Sequence, residues 1–124
     1  MPFVFNPKLD HAFLYSLYED DLSYAQEIFK GFLVETKIEF DGIKNDYHQD
    51  ALKSMRQKLH KIKPTFSFVG LTSLTEKTES VIAACDDSSH VAETEPACSA
   101  LFREIEDSFL LIEKELTRMK DHIA

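Results

Sequence analysis

Apolar residues recur along this chain at steps of three and four, the period of an amphipathic helix, and almost nowhere at the step of two that marks a half-buried strand. The cleanest stretch runs from about Asp50 to Val69, where Leu52, Met55, Leu59, Ile62, Phe66 and Val69 make the kind of seam that bundle helices present to one another. Before it, Asp20 or Asp21 can cap a long helix to about Asp46 that turns Leu22, Ala25, Phe29, Phe32, Leu33, Thr36, Phe40 and Ile43 inward. A short first helix is expected over Lys8 to Tyr18, after Pro7, with Leu9, Phe13, Leu14 and Leu17 on one side as a lid over one end of the core.

Beyond the seam, Gly70 stands where a left-handed helix stop belongs. Thr72 or Ser73 then starts a fourth helix through Leu74, Val81 and Ile82 to about Cys85. Residues 86–93 are polar enough for a surface loop, and Thr94-Glu95-Pro96 opens a last helix to about Lys120 with the stripe Leu101, Ile105, Phe109, Ile112, Leu116 and Met119. The expected fold class is all-α: an up-down four-helix bundle with an additional short N-terminal helix, one domain over residues 1–124.

Composition narrows this further. Three Gly and four Pro are too few for the turns of a sandwich or barrel. Met1 to Asn6 lack the charged start and long apolar stretch of a secretion signal, and no apolar run approaches the roughly 20 residues that span a bilayer, so a cytoplasmic location is expected. Cys85 and Cys98 then read as reduced thiols. Together with His90 they match no zinc spacing, and no metal site is expected.

Charge changes the picture at one helix. Residues 51–75 hold Lys53, Arg56, Lys58, Lys61 and Lys63 and no acidic residue, a local +5 inside a chain of net charge −8. Such segregation suggests an anionic partner. On a helical wheel His60 falls far from the apolar seam, within one turn of Arg56, Gln57, Lys63 and Pro64, with Lys53 and Ser67 one turn further on either side. A solvent-facing His on a Lys-rich helix is by itself ordinary surface.

The run His60-Lys61-Ile62-Lys63-Pro64-Thr65-Phe66-Ser67-Phe68-Val69-Gly70 is more specific. It resembles the phosphoacceptor signature of histidine phosphotransfer (HPt) domains: His, any residue, Leu, Lys, Gly, a few small residues, and a Gly ten positions after the His. His60, the aliphatic Ile62, Lys63 and Gly70 match, and the acidic turn and Phe-rich helix before the motif, with two helices after it, extend the likeness over essentially the whole chain. Pro64 departs from it, standing where the family has Gly; its missing N–H and its ring predict a kink beside the imidazole. Ser67 keeps the family's small size one turn on. The Gln that some relatives set against the imidazole from the next helix has no counterpart, so the second partner of His60 is unassigned.

The resemblance implies a phosphoryl carrier. His60 would accept the group from a receiver-domain aspartate, Lys63 would supply its counter-charge, and Lys53, Arg56, Gln57, Pro64 and Ser67 would meet the partner, with Gly70 structural. Imidazole suits the task because it titrates near neutrality and offers a free ring nitrogen. No cofactor is implied, since magnesium comes with the receiver. The partners would be response-regulator receivers and a hybrid sensor histidine kinase, met by a monomer. Scattered glycines form no phosphate loop, so self-phosphorylation from ATP is not expected.

Three other readings compete. The first is a helical adaptor that docks a receiver or kinase without carrying phosphate, with Pro64 as its sign. The second is a nucleic-acid-binding bundle, which five charges without interleaved aromatics support poorly. The third is a ligand- or metal-binding bundle, for which paired Glu-x-x-His motifs are missing. Neither nucleic acid nor membrane is expected as a partner, and His11, His48, His90 and His122 read as incidental.

Overall fold

Two aspartates set where the first helices begin. In the computed structural model, which describes residues 3–124, the Asp10 carboxylate accepts the Phe13 amide and caps α1 (His11–Tyr18). Asp21 does the same with Tyr24 for α2 (Leu22–His48). Then follow α3 (Leu52–Phe68), α4 (Thr72–Asp86), a 3-10 turn (Val91–Thr94) and α5 (Ala97–Ile123). The described residues are helical with no strand, and none of their helices is long and apolar enough to cross a membrane. Met1 and Pro2 lie outside them.

α3 packs against α2 and α4, α5 packs against both of those helices in turn, and α1 touches α2 and α3. Met55, Leu59, Ile62 and Phe66 of the seam are buried as their spacing requires. Phenylalanines from three helices meet around it: Phe32 lies 6.0 Å from Phe66, and Phe40 lies 5.9 Å from Phe109, ring centre to ring centre. Each such pair adds about 0.5–1.5 kcal/mol to the burial of its area. Cys85 and Cys98 are free thiols inside this core, and burial pushes the Cys98 thiol up to about 11.

The turns on either side of α3 share one construction. After Phe68, Gly70 takes φ +79°, its amide donates to the Ser67 carbonyl, and the Leu71 amide reaches back to Phe66 at 2.8 Å. After His48, Asp50 takes φ +54°, its amide donates to Tyr47, and Ala51 reaches back to Asp46 at 2.8 Å. Both are Schellman stops. Gly70 fits its role as read from the sequence; Asp50, read as the start of α3, instead closes α2, and α3 begins two residues later.

Three other boundaries differ for local reasons. The Asp10 cap delays α1, so Leu9 is buried ahead of the helix, Leu14 and Tyr18 form its inner row, and Phe13 and Leu17 turn outward. Thr94 does not open α5; it is buried in the 3-10 turn with its hydroxyl bonded to the Val91 carbonyl, and Glu95 accepts the Ser99 amide instead. The last helix continues to Ile123.

Two clamps that the sequence pattern does not show hold the irregular segments. Glu115 is buried on α5, where its carboxylate accepts the Asn6 amide at 2.6 Å and pairs with Arg118, whose other nitrogen donates to the Val4 carbonyl. The segment before α1 is thereby strapped to α5. Asp50 accepts the Val91 amide at 2.8 Å and His90 Nδ1 at 2.7 Å, joining the turn between α2 and α3 to the 3-10 turn. His90 is therefore a tie between segments, not an incidental histidine.

The bond to Asp50, then its charge, raise the His90 pKa above its ordinary 6.5, and the same bond lowers that of Asp50. The contribution of the tie is accordingly full below pH 6.5 on the His90 side and fades as pH rises through the raised folded value. On the Asp50 side it fades only as pH falls below the ordinary carboxylate range. NMR titration of the imidazole should give a midpoint above 6.5 for His90, returning toward 6.5 in Asp50→Asn.

Candidate functional site

The step from Leu59 to His60 rotates the helix by about 100°, which carries the chain from a fully buried side chain to an exposed one. Lys53, Gln57, His60 and Pro64 follow at steps of four, three and four and are all exposed, so they form the outward row of α3. α3 runs through Pro64 to Phe68 as one helix, and the expected kink does not end it. The proline ring sits on the exposed row and leaves the His60 carbonyl without its i+4 donor.

Charged pairs flank this row on both sides. Toward α4, Arg56 makes a two-bond contact with Asp86, Nε to Oδ1 at 2.6 Å and Nη2 to Oδ2 at 3.4 Å, and Lys63 Nζ lies 4.0 Å from Glu79. Toward α2, Lys58 meets the buried Asp46 at 2.9 Å and Lys61 meets Glu39 at 2.8 Å. The bond from Arg56 holds the Asp86 carboxyl below the usual carboxylate range, and the bond to Glu39 raises the Lys61 ammonium.

The basic strip read from the sequence is therefore not a free positive field. Among the described residues only Lys53 of its five cations makes no ion pair. The carboxylates missing from residues 51–75 arrive from neighbouring helices, so segregation along the chain does not survive folding. Arg56 is committed within the fold and is no longer a free steering charge.

Ser67, also assigned to the partner surface, lies half-buried with its hydroxyl 2.8 Å from that of Thr75 on α4. Gln57 and Pro64 are open to a partner one turn before and after His60. Lys63 is half-buried and leans on Glu79 at the limit of ion-pair distance. Exposed pairs of this kind contribute about 0–1 kcal/mol, whereas hydrogen bonds to charged groups contribute about 1.5–3 kcal/mol. The Glu79 contact is therefore a weak restraint on that ammonium.

Beside Lys61 the surface dips into a groove of about 280 Å³ between α2 and α3, with Ile38 and Thr65 among its walls. Ile38 and Val34, one turn apart on α2, are both more than 60% exposed. Ile38, on the groove wall, is the residue near the site that periodicity missed; its four-residue spacing from Val34 on the polar side of α2 was the available signal.

The arrangement gives an accessible imidazole, an ammonium within one turn, and apolar surface alongside. Comparison of the chain with protein-family models, with curated protein sequences and with solved structures gives no match.

Proposed function

We propose that the chain is a histidine phosphotransfer domain, taking a phosphoryl group from a receiver-domain aspartate onto His60 and handing it to another receiver in a two-component relay. The proposal reads α2 to α5 as an up-down four-helix bundle lidded by α1, because short turns at 49–51 and 69–71 reverse the chain and α5 packs on both α2 and α4. The observation that carries it is the exposed imidazole in mid-helix on α3 with Lys63 at the next turn. Such a place leaves in-line approach open.

In the forward step a ring nitrogen of His60 attacks phosphorus, the N–P bond forms, and the P–O bond to the aspartate breaks with the carboxylate as leaving group. Magnesium on the receiver neutralises the oxygens on its side. Lys63 leaves Glu79 and neutralises them on this side. Returning the group to a second aspartate reverses the same bonds, so the chain is a carrier without ATP chemistry, acting as a monomer in the cytoplasm where receivers and hybrid kinases present their domains.

The test is transfer from a panel of phosphorylated receivers to the protein, followed by chase with unphosphorylated ones. Acid-labile label should appear on the protein and leave again. Lys63→Ala should slow uptake roughly tenfold, the equivalent of one exposed charge-assisted bond. Pro64 and the Lys63–Glu79 contact favour a second reading, an adaptor that docks receivers without phosphorylation. Saturable receiver binding with no label at any receiver concentration would establish that reading instead.

A further inference from the structure

A second cavity, away from His60, lies where the segment before α1, the turn between α1 and α2, and the end of α5 come together. Its volume is about 300 Å³, and its walls include Phe3, Phe5, Tyr15, Tyr18, Glu19 and Asp20, with His122 closing one side. We propose that it binds a small free organic cation of the alkylammonium class.

The walls match that chemistry. Four benzene rings line it, and weakly hydrated ammonium groups are drawn to the electron-rich faces of such rings. The rings are held in place: Phe3 and Phe5 meet edge to face at 5.1 Å, Phe5 stacks on Phe29 at 5.9 Å, and the Tyr18 hydroxyl donates to the Phe68 carbonyl at 2.6 Å. This end of the molecule already holds one cation in that manner, since the Arg118 guanidinium lies 4.9 Å over the Phe3 ring while Glu115 balances its charge.

The electrostatics point the same way. Glu19 and Asp20 are exposed, and among the described residues they form no salt bridge and no Lys or Arg lines the cavity. The positive end of α2 arrives through Leu22, but it carries only about half a charge, Asp21 caps it, and the carbonyl end of α5 arrives through Ile123 with the opposite sign. Two carboxylates prevail. A bare metal ion is disfavoured because aromatic walls cannot replace its water, and no group of three His, Cys, Asp or Glu among the described residues is placed to hold one. The volume, at the lower end of small-molecule pockets (about 300 Å³), restricts the ligand to a compact one.

Choline is the probe, set against the neutral alcohol in which a tert-butyl group replaces trimethylammonium. Ring signals of Tyr15 and Tyr18 should shift saturably with choline, and the neutral alcohol should bind at least roughly tenfold more weakly. Tyr15→Leu and Asp20→Asn, both at exposed positions, should each weaken choline binding several-fold with the helical circular dichroism unchanged. Equal binding of the two probes would reduce the site to an apolar hollow and overturn the proposal. So would the absence of a saturable shift, or choline binding indifferent to both substitutions.

Discussion

Gln in place of His60 should abolish acid-labile phosphoryl uptake while leaving the urea unfolding midpoint close to that of the native protein. The first half follows from chemistry, since an amide nitrogen has no lone pair free to attack phosphorus. The second half follows from the position: an exposed side chain on the outer row of α3, away from the buried seam, contributes within about 0.5 kcal/mol of stability. The pairing of full loss with an unchanged fold separates a reacting group from a structural one. Label that persists in His60→Gln would move the chemistry to another residue.

Gly70→Ala should have the largest effect on stability, lowering it by about 2–4 kcal/mol as read from the urea midpoint. Two causes add. Gly70 has φ +79°, where an L side chain is strained, and a Cβ there would sit 2.7 Å from a Leu14 methyl and 3.0 Å from Leu9 Cβ. Both leucines are buried, and the Leu9 Cβ, fixed to its own backbone, cannot swing away. Asn at the same position separates the causes, because it tolerates left-handed backbone but still carries a Cβ. Asn as damaging as Ala identifies the contact with α1 as dominant; a clearly milder Asn identifies the backbone.

Gly70 also shows why the fold and the site were legible to different depths. Its place after the apolar seam marks a helix stop with a single local cause, and the seam's Met55, Leu59, Ile62 and Phe66 needed only their spacing to be assigned inward. The exposure of His60 followed from the same wheel. What stayed hidden depends on pairing across the chain. The Lys58 contact with Asp46 and the Arg56 contact with Asp86 join residues 12 and 30 positions apart, so the +5 strip could not be seen to be neutralised. The strap from Glu115 to Asn6 spans 109 positions. A glutamate on the inner side of α5 breaks the hydrophobic pattern and was passed over, although a buried carboxylate requires donors and so marks a long-range contact. Asp50 hid for another reason: it takes a glycine's backbone conformation, which Asp tolerates better than most residues, and it gives its carboxylate to the 3-10 turn.

The most direct measurement is site mapping: load the protein from a phosphorylated receiver, digest at neutral pH, and locate the modified residue by mass spectrometry with fragmentation that preserves the N–P bond. The account predicts phosphoryl on His60 and on no other of the five histidines. Phosphoryl found on His11, His48, His90 or His122, or no modified peptide from any receiver that binds, would contradict it.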